Sequence, residues 1–156
     1  MRRKDREMTK EFALQVCDKC NFATVAMVDT SGLPYCVAIN VVLQGEEIYF
    51  HTAKAGFKID CLKENPNVCI SLVGDNELIP ERFTTEYESA VVRGIAKEVS
   101  NREEKISALR LLCQKFASSN MAGFDTAISE SLNHTAIWKV GISEISGKSN
   151  MAKHKK

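Results

Sequence analysis

The sequence predicts a mainly β protein with additional α-helices, a small barrel of five or six antiparallel strands. Three observations lead to this prediction. Most of the strand-like segments are joined by short turns, which favours antiparallel neighbours over a doubly wound sheet. Helical patterns are limited to the start of the chain, one short central segment and the region after residue 100. No glycine-rich nucleotide-binding motif, either GxGxxG or Walker type, occurs in the chain.

In the first half of the chain, helix and strand signals are separated by turn residues. Thr9 is a suitable N-cap for a helix that ends near Cys20, and Glu11 lies favourably in its first turn. A short helix after residue 56 ends before Pro66, because proline cannot continue it. Apolar runs between turn clusters predict strands at 23–28, 35–43 and 47–51.

The second half begins with a strand at 67–73. The polar segment 74–86 contains Pro80 and is predicted to be a long loop before a strand at 87–99. A capping-box pattern at Ser100-Asn101-Arg102-Glu103 then starts a helix. The apolar residues expected on its buried side are Ile106, Leu109, Leu112, Cys113 and Phe116. A short helix at 124–132 and a last strand at 134–145 follow, and the basic tail from Ser146 is expected to be loose.

Length and charge limit the classes of function. A chain of 156 residues with 44% hydrophobic and 26% charged residues is expected to form one globular domain. The net charge of +1 argues against a dedicated nucleic-acid binder. No apolar run reaches the roughly 18 residues that cross a bilayer. Lys10, Glu11 and Gln15 interrupt any signal-peptide core after the basic N-terminus, so a cytoplasmic protein is expected.

The six cysteines include a CxxC pair, Cys17 and Cys20. Both fall on the apolar face of the first predicted helix, at its end, whereas a redox CxxC lies at a helix start after a strand. No second CxxC or histidine pair completes a zinc site, and no metal is predicted. Free, buried thiols of this kind fit a reducing compartment.

The segment 50–58, Phe-His-Thr-Ala-Lys-Ala-Gly-Phe-Lys, carries the clearest chemical signal. A strand ends there in a turn that opens a helix, where unpaired N–H groups and a partial positive charge favour an anion such as phosphate. Thr52 adds a hydroxyl, Gly56 permits close approach of the backbone, and Lys58 adds a full charge. A phosphate-binding turn is therefore predicted.

Several ordered segments carry a family resemblance. They are residues 33–40 (LPYCVAIN), 48–58 (IYFHTAKAGFK), 65–69 (NPNVC), 83–94 (FTTEYESAVVRG) and 145–148 (ISGK). In this order and spacing the chain resembles the flavin-binding split-barrel proteins, the superfamily of pyridoxamine 5′-phosphate oxidase. Within that superfamily it is most similar to the nitroimidazole-resistance proteins. The resemblance implies a six-stranded antiparallel split barrel with flanking helices at residues 1–148, followed by a basic flexible tail at 149–156.

The resemblance also implies a cofactor, FMN, and the residues that contact it. The strand that contains Val37, Ala38, Ile39 and Asn40 would lie along the isoalloxazine ring through its backbone. His51, Thr52 and Ala53 would contact the ring and the ribityl phosphate, and Gly56 and Lys58 would hold the phosphate. Glu88 and Ser89 would come from a second subunit, because the flavin of the superfamily lies at a homodimer interface.

The chain departs from the oxidase itself at two places. The arginine of the oxidase's second strand is replaced by Val37, and its Ser-Arg-Lys turn reads Gly56-Phe57-Lys58. Activity on the B6 vitamers is therefore not expected. The expected function is an FMN-dependent oxidoreductase that passes electrons from a reduced nicotinamide to a nitroaromatic or another small acceptor. A non-catalytic flavin store or sensor is the alternative, and a relative that binds haem or a deazaflavin is a third.

The residues themselves leave some roles open. His51 is the candidate catalytic residue, since it could stabilise reduced flavin, but a hydrogen-bonded histidine at a strand end is the alternative. Lys58 could instead be a solvated helix lysine. Trp138 is expected in the core or a dimer interface rather than on the flavin. Tyr87 and Glu88 could line a substrate pocket or lie at a strand edge, and Lys148 could approach the site from the tail.

Overall fold

A computed structural model describes residues 2–154 of the chain. In these residues eight strands and four α-helices form one sheet with helices packed on it. The strands are β1 (Glu7–Met8), β2 (Ala23–Val28), β3 (Pro34–Ile39), β4 (Val42–Gln44), β5 (Glu47–Ala53), β6 (Asn67–Ile79), β7 (Thr84–Glu98) and β8 (Thr135–Ser149). The helices are α1 (Lys10–Lys19), α2 (Phe57–Glu64), α3 (Arg102–Phe116) and α4 (Phe124–Ser131).

The sheet is antiparallel throughout and runs in the order β3-β2-β6-β7-β8-β5-β4, with β1 paired to β8. It curls without closing, because β3 and β4, its two ends, are not paired with each other. This confirms the predicted antiparallel split barrel, but the strand count of six was wrong. Asn40 and Val41 divide the predicted strand 35–43 into β3 and β4, and the two-residue β1 lacks a sequence pattern of its own.

The segment 74–86 was predicted to be a loop, and this was wrong. It forms the far part of a long β6–β7 hairpin, which passes a bulge between Val73 and Asn76 and ends in a turn at Pro80–Arg82. Phe83 closes the turn at φ 48° with its ring 99% exposed. The side chains of this two-stranded ribbon are mostly polar and show no apolar alternation, so its sequence looks like that of a loop.

The last strand is longer than predicted and continues to Ser149, so the expectation of a loose chain from Ser146 was wrong. Ser146 pairs with Val91 and Lys148 with Ser89, which fixes both in the sheet. Asn150 is also buried and donates from its side chain to the carbonyl oxygen of Thr85 at 2.9 Å. The flexibility of a tail at 149–156 stays a prediction. Met1 and the final two lysines lie outside the described residues.

The N-cap of α1 is the residue that the sequence predicted, whereas the N-cap of α3 lies one residue later than predicted. The N–H of Phe12 donates to Thr9 Oγ1 at 3.3 Å, which confirms Thr9 as the N-cap of α1. At α3 the cap is Asn101, which accepts from the N–H of Glu104 at 2.9 Å, rather than Ser100. Asparagine is at least as good a cap as serine, so both positions satisfied the pattern.

The barrel interior is the main core, and α1 packs against the strands that surround it. Cys17 and Cys20 are free, buried thiols in this core, as predicted, and burial raises the pKa of Cys17 to about 12. Trp138 also lies in this core, which confirms the first of its two expected places. A second cluster forms where α3 covers the outer side of β4, β5 and β8, and includes Tyr49 and Leu112.

Gly94 lies next to a bulge where β7 pairs with β8, and the two backbones approach closely there. A methyl group at this position would lie 2.2 Å from the carbonyl oxygen of Gly141 and 2.6 Å from Val140 Cγ1. Gly94→Ala is therefore expected to lower the free energy of unfolding by about 1–3 kcal/mol, measured by urea denaturation. Gly141→Ala is the matched control, because nothing lies within 4 Å of its added methyl group. Equal stability of the two variants would contradict the close contact.

Within residues 2–154, none of the helices is long and apolar enough to cross a membrane.

Candidate functional site

The candidate site lies where the barrel is split. Among the described strands, β3 pairs with β2 on one side only. On β5, β4 covers only Glu47–Tyr49, so residues 50–53 pair with β8 on one side and have no strand on the other. The predicted flavin contacts at 37–40 and 51–53 thus belong to two strand edges whose backbone N–H and C=O groups can bond a ligand.

The β3 edge offers mainly its backbone. Val37 and Ile39 pack against the barrel core, while Ala38 between them faces outward. Asn40 follows the strand, and its side-chain amide donates to the carbonyl oxygen of Asn21 at 2.8 Å, which holds it in place. The four predicted residues therefore present mainly backbone polar groups at this edge, which suits the approach of a flat ring system.

The turn after β5, which the sequence predicts to bind phosphate, leads into α2 as expected. Gly56 is the N-cap at φ 128°, a backbone conformation that favours glycine, and open space surrounds the position of a Cβ there. No side chain caps the helix, so its first N–H groups can receive an anion. The rings of Tyr35 and Phe57 meet edge to face with centroids 4.9 Å apart, which ties this turn to β3.

The charge of Lys58 acts on His51 in this turn. His51 lies on the outward side of β5, the same side as Tyr49, and Lys58 is half-buried. Burial lowers the pKa of Lys58. Burial, and then the charge of Lys58, lowers the pKa of His51. A neutral imidazole with one N–H donor is therefore favoured at neutral pH.

Lys58→Met is expected to raise the pKa of His51, because it removes the nearby positive charge while the apolar methionine keeps the imidazole as buried as before. The measurement is an NMR titration of the His51 ring C–H signal, assigned with His51→Gln. Lys54→Met is the control, since Lys54 is exposed in the same turn and does not contribute to the shift. An unchanged titration in Lys58→Met would contradict the coupling.

The same shift predicts the direction of a pH effect on stability. The folded-state pKa of His51 lies below its ordinary value of about 6.5. Between these two pKa values the unfolded chain therefore binds more protons than the folded chain. His51 therefore stabilises the fold above about pH 6.5, and this contribution is lost as the pH falls through the folded-state pKa.

His51 and Asn40 also border a cavity of about 310 Å³ whose opposite wall is α3. We call this cavity the α3 pocket. Its lining residues are Asn40, His51, Leu109, Leu112, Cys113, Phe116, Ala117, Ser131 and Thr135. The sequence assigned the apolar residues of α3 to burial alone. The sequence carries no signal that would have placed them at a pocket, because Phe116 continues the apolar side of α3 and only the structure shows it 37% exposed.

Glu88 and Ser89 lie far from this group within one chain. His51 pairs across the sheet with position 137 of β8, whereas Ser89 pairs with position 148, eleven residues further along the same strand. At about 3.3 Å per residue this separation is roughly 36 Å along the strand. One chain therefore does not bring the two groups together, and a site that contains both needs a second chain.

Glu88 also differs from the expected exposed ligand contact. Its side chain points into the barrel end and is 1% exposed. There it forms ion pairs with Lys19 of α1 and, at 3.6 Å, with Lys153. Its neighbour Tyr87 lies on the outer face with the Lys148 ammonium 5.5 Å from its ring centroid. Of the predicted pair, Ser89 is the one whose side chain faces outward.

Comparison with known proteins agrees with the architecture. Residues 10–149 match the family described as pyridoxamine 5′-phosphate oxidase. No curated protein sequence matches the chain. A candidate 5-nitroimidazole antibiotic resistance protein from Bacteroides thetaiotaomicron is 25% identical, with a TM-score of 0.77, and the match covers 92% of this chain and 86% of that one.

Two further solved structures share the fold. An FAD and heme binding protein from Mycobacterium smegmatis is 20% identical with a TM-score of 0.80, and the match covers 95% of this chain and 75% of the other. An FAD-binding protein from Mesorhizobium loti is 19% identical with a TM-score of 0.68, over 94% of this chain and 98% of the other.

Proposed function

The chain belongs to the pyridoxamine 5′-phosphate oxidase family, and on this premise we propose that it is an FMN-dependent oxidoreductase of small molecules. The observation that carries the proposal is the convergence of two free strand edges with the uncapped start of α2. This arrangement can bind a flat ring along the backbone and a phosphate at the helix start. Solved neighbours described as FAD-binding proteins support a flavin in this fold.

Each part of the site has a role in this proposal. The first N–H groups of α2, the hydroxyl of Thr52 and the ammonium of Lys58 bind the phosphate. The backbone of residues 37–40 and 51–53 holds the edge of the ring system. The neutral imidazole of His51 donates a hydrogen bond toward the ring or the acceptor. FMN, when bound, supplies the transfer of electrons between the donor and the acceptor.

The proposed reaction takes electrons from a reduced nicotinamide and delivers them to a nitroaromatic compound. One NAD(P)H and one proton reduce the nitro group to a nitroso group with release of one water. Reduction to the amine consumes three NAD(P)H and three protons and releases two waters. The relative from Bacteroides thetaiotaomicron, described as a candidate 5-nitroimidazole resistance protein, supports this class of acceptor.

We also propose that two copies of the chain form the site. The outer face of β6 and β7 exposes apolar side chains that a partner would bury, with Val73 50% and Ile95 54% exposed. This face borders a cavity of about 400 Å³ that includes Val28, Cys69 and Ile95. Ser89 lies on the same outer face. In this proposal Ser89 of the second copy reaches the first chain's cofactor, because Ser89 of the same chain lies eleven residues further along β8 than His51.

The experiment that tests the proposed function has two stages. Freshly purified protein is examined by absorption spectroscopy, and any released chromophore is identified by mass, which separates FMN from FAD. The loaded protein is then given NADH or NADPH with and without a nitroaromatic acceptor. Consumption of NAD(P)H that depends on the acceptor supports the oxidoreductase. Bound FMN without such consumption would favour a flavin store or sensor, and failure to bind any flavin would overturn the proposal.

His51→Ala is expected to leave FMN bound but to alter its reduction potential and slow acceptor turnover, because the donor next to the ring is lost. The potential is measured by equilibrium titration against reference dyes. His134→Ala is the control, since His134 is exposed just before β8 and does not line the α3 pocket. An unshifted potential together with unchanged turnover would contradict a redox role for His51.

A further inference from the structure

A second cavity lies beside the turn after β5. It has a volume of about 130 Å³ and is bordered by that turn, the start of α3 and the short segment that precedes β8. The lining residues are Lys54, Ser100, Arg102, Lys105, Leu132 and Asn133. We call it the cationic cavity, because three of these side chains are positively charged and none is negatively charged.

The cations of the cationic cavity have no acidic partner. Within residues 2–154, Lys54, Arg102 and Lys105 take part in no ion pair. Arg110 on the same helix differs, since its guanidinium pairs with Asp125 at 3.2 Å. Arg102 and Lys105 are three residues apart and therefore share one side of α3. Like charges that converge without a counter-charge repel each other, and a bound anion would relieve this repulsion.

The acidic residues between these cations in the sequence do not neutralise the cavity. Glu103 does not line it. Glu104 is engaged elsewhere, because its carboxylate accepts from Lys139 Nζ at 2.8 Å and from the Tyr49 hydroxyl at 2.9 Å. The segment 102–105 thus has equal numbers of positive and negative residues, but the structure collects only the positive ones at the cavity.

The neutral polar groups of the lining add hydrogen-bond donors. The hydroxyl of Ser100 and the amide of Asn133 form no side-chain hydrogen bond in the described part of the chain, so each has a proton to donate. Together with the three cations they suit the oxygens of a phosphate group. The volume is well below the roughly 300–1,000 Å³ of a complete ligand site, so the cavity fits one such group of a larger molecule.

The cationic cavity is close to the proposed flavin site but separate from the position of the FMN phosphate. Lys54 follows His51 by three residues, so their Cα atoms are at most about 11 Å apart. Lys58, which we propose to bind the FMN phosphate, does not line the cavity. An electron donor whose nicotinamide meets the flavin ring extends its adenosine end beyond that ring. A phosphate at the adenosine end is therefore the group that this cavity can receive.

We propose that the cationic cavity binds the 2′-phosphate of NADPH, so that the protein selects NADPH over NADH. This inference rests on the proposed function and names its electron donor. The 2′-phosphate is a monoester with about two negative charges at neutral pH, which matches three cations better than the single charge of a phosphate in a diphosphate bridge. Arginine accommodates the same phosphate in other dinucleotide sites. NADH has a neutral hydroxyl there and would leave the cations without a counter-charge.

The first test compares two fragments of the donor. Adenosine 2′,5′-bisphosphate and 5′-AMP are titrated by calorimetry into the flavin-loaded protein. Wild type should bind the bisphosphate at least about tenfold more tightly, and the double variant Arg102→Gln/Lys105→Gln should reduce this preference below about threefold. Lys63→Gln is the control, because Lys63 is exposed and does not line the cavity. Equal affinities in wild type, or an undiminished preference in the double variant, would overturn the proposal.

The second test separates the donor from the other source of such a phosphate, the diphosphate bridge of FAD. The bisphosphate is titrated into FMN-loaded, FAD-loaded and flavin-free protein. Binding to all three forms supports the proposal, whereas loss of binding in the FAD-loaded form alone would assign the cavity to the flavin and overturn it. If no form takes up flavin, the proposed function is refuted, while the titration of flavin-free protein still tests the cavity.

The third test uses turnover. With a nitroaromatic acceptor, the kcat/KM of the flavin-loaded protein for NADPH should exceed that for NADH by about tenfold, and the double variant should lower this ratio. Equal kcat/KM values for the two donors in wild type would overturn the proposed selectivity.

Discussion

Ile95→Asp is expected to convert the protein from dimer to monomer and to release its flavin. Ile95 lies on the exposed apolar face of β7 that we propose as the interface. A carboxylate buried there without a partner costs several kcal/mol, and in a two-fold dimer each substitution is present twice. At 1.4 kcal/mol per factor of ten, dimer dissociation should rise by more than about a hundredfold.

Sedimentation measures the assembly state, and the ratio of flavin to protein absorbance measures retention. Gln114→Asp introduces the same charge on the exposed side of α3, away from this face, and should change neither quantity. Persistence of the dimer in Ile95→Asp would show that another surface is used. A wild-type monomer that holds FMN stoichiometrically would contradict the shared site altogether.

Lys58→Ala is expected to weaken FMN binding by about 1–3 kcal/mol, roughly five- to 150-fold. Lys58 is the charged side chain of the phosphate turn that is half-buried, and burial already lowers its pKa. A phosphate beside it would therefore meet a partly desolvated ammonium, whose attraction water screens less than that of an exposed lysine.

The measurement is the dissociation constant of FMN from equilibrium dialysis at two salt concentrations. Lys63→Ala removes the same charge from the last turn of α2, where the side chain is exposed and the helix end disfavours an anion. Equal FMN affinity of wild type and Lys58→Ala would remove the phosphate assignment. An equal loss of FMN affinity in Lys58→Ala and Lys63→Ala would show that only the overall charge of the protein matters.

The sequence identified elements that stand out as apolar runs bounded by turn residues. β2 was predicted with its observed bounds, 23–28, because a continuous apolar run is followed there by a turn cluster. The cap at Thr9 and the glycine at position 56 were also found, since each is determined by local backbone geometry. The family resemblance supplied the split barrel itself, which the strand pattern alone left as a small barrel.

Features that depend on long-range pairing could not be predicted in the same way. The hairpin beyond Val73 and the end of β8 at Ser149 are held by cross-strand hydrogen bonds, which a polar sequence does not reveal. Equally, the sequence could not show that Glu88 points inward to Lys19, since a shift by one residue would turn it outward.

For the candidate site, the sequence alone determined the chemistry of the turn at 51–58, because strand, glycine, lysine and helix follow each other within a few residues. Only the tertiary structure decided what surrounds that turn. The curling of the sheet brings Asn40 near His51, and α3 adds the opposite wall of the pocket from more than fifty residues away. The same topology places Ser89 at the far end of β8. Local patterns specify local geometry, whereas the position of a wall or a distant strand depends on how the whole sheet pairs and curls.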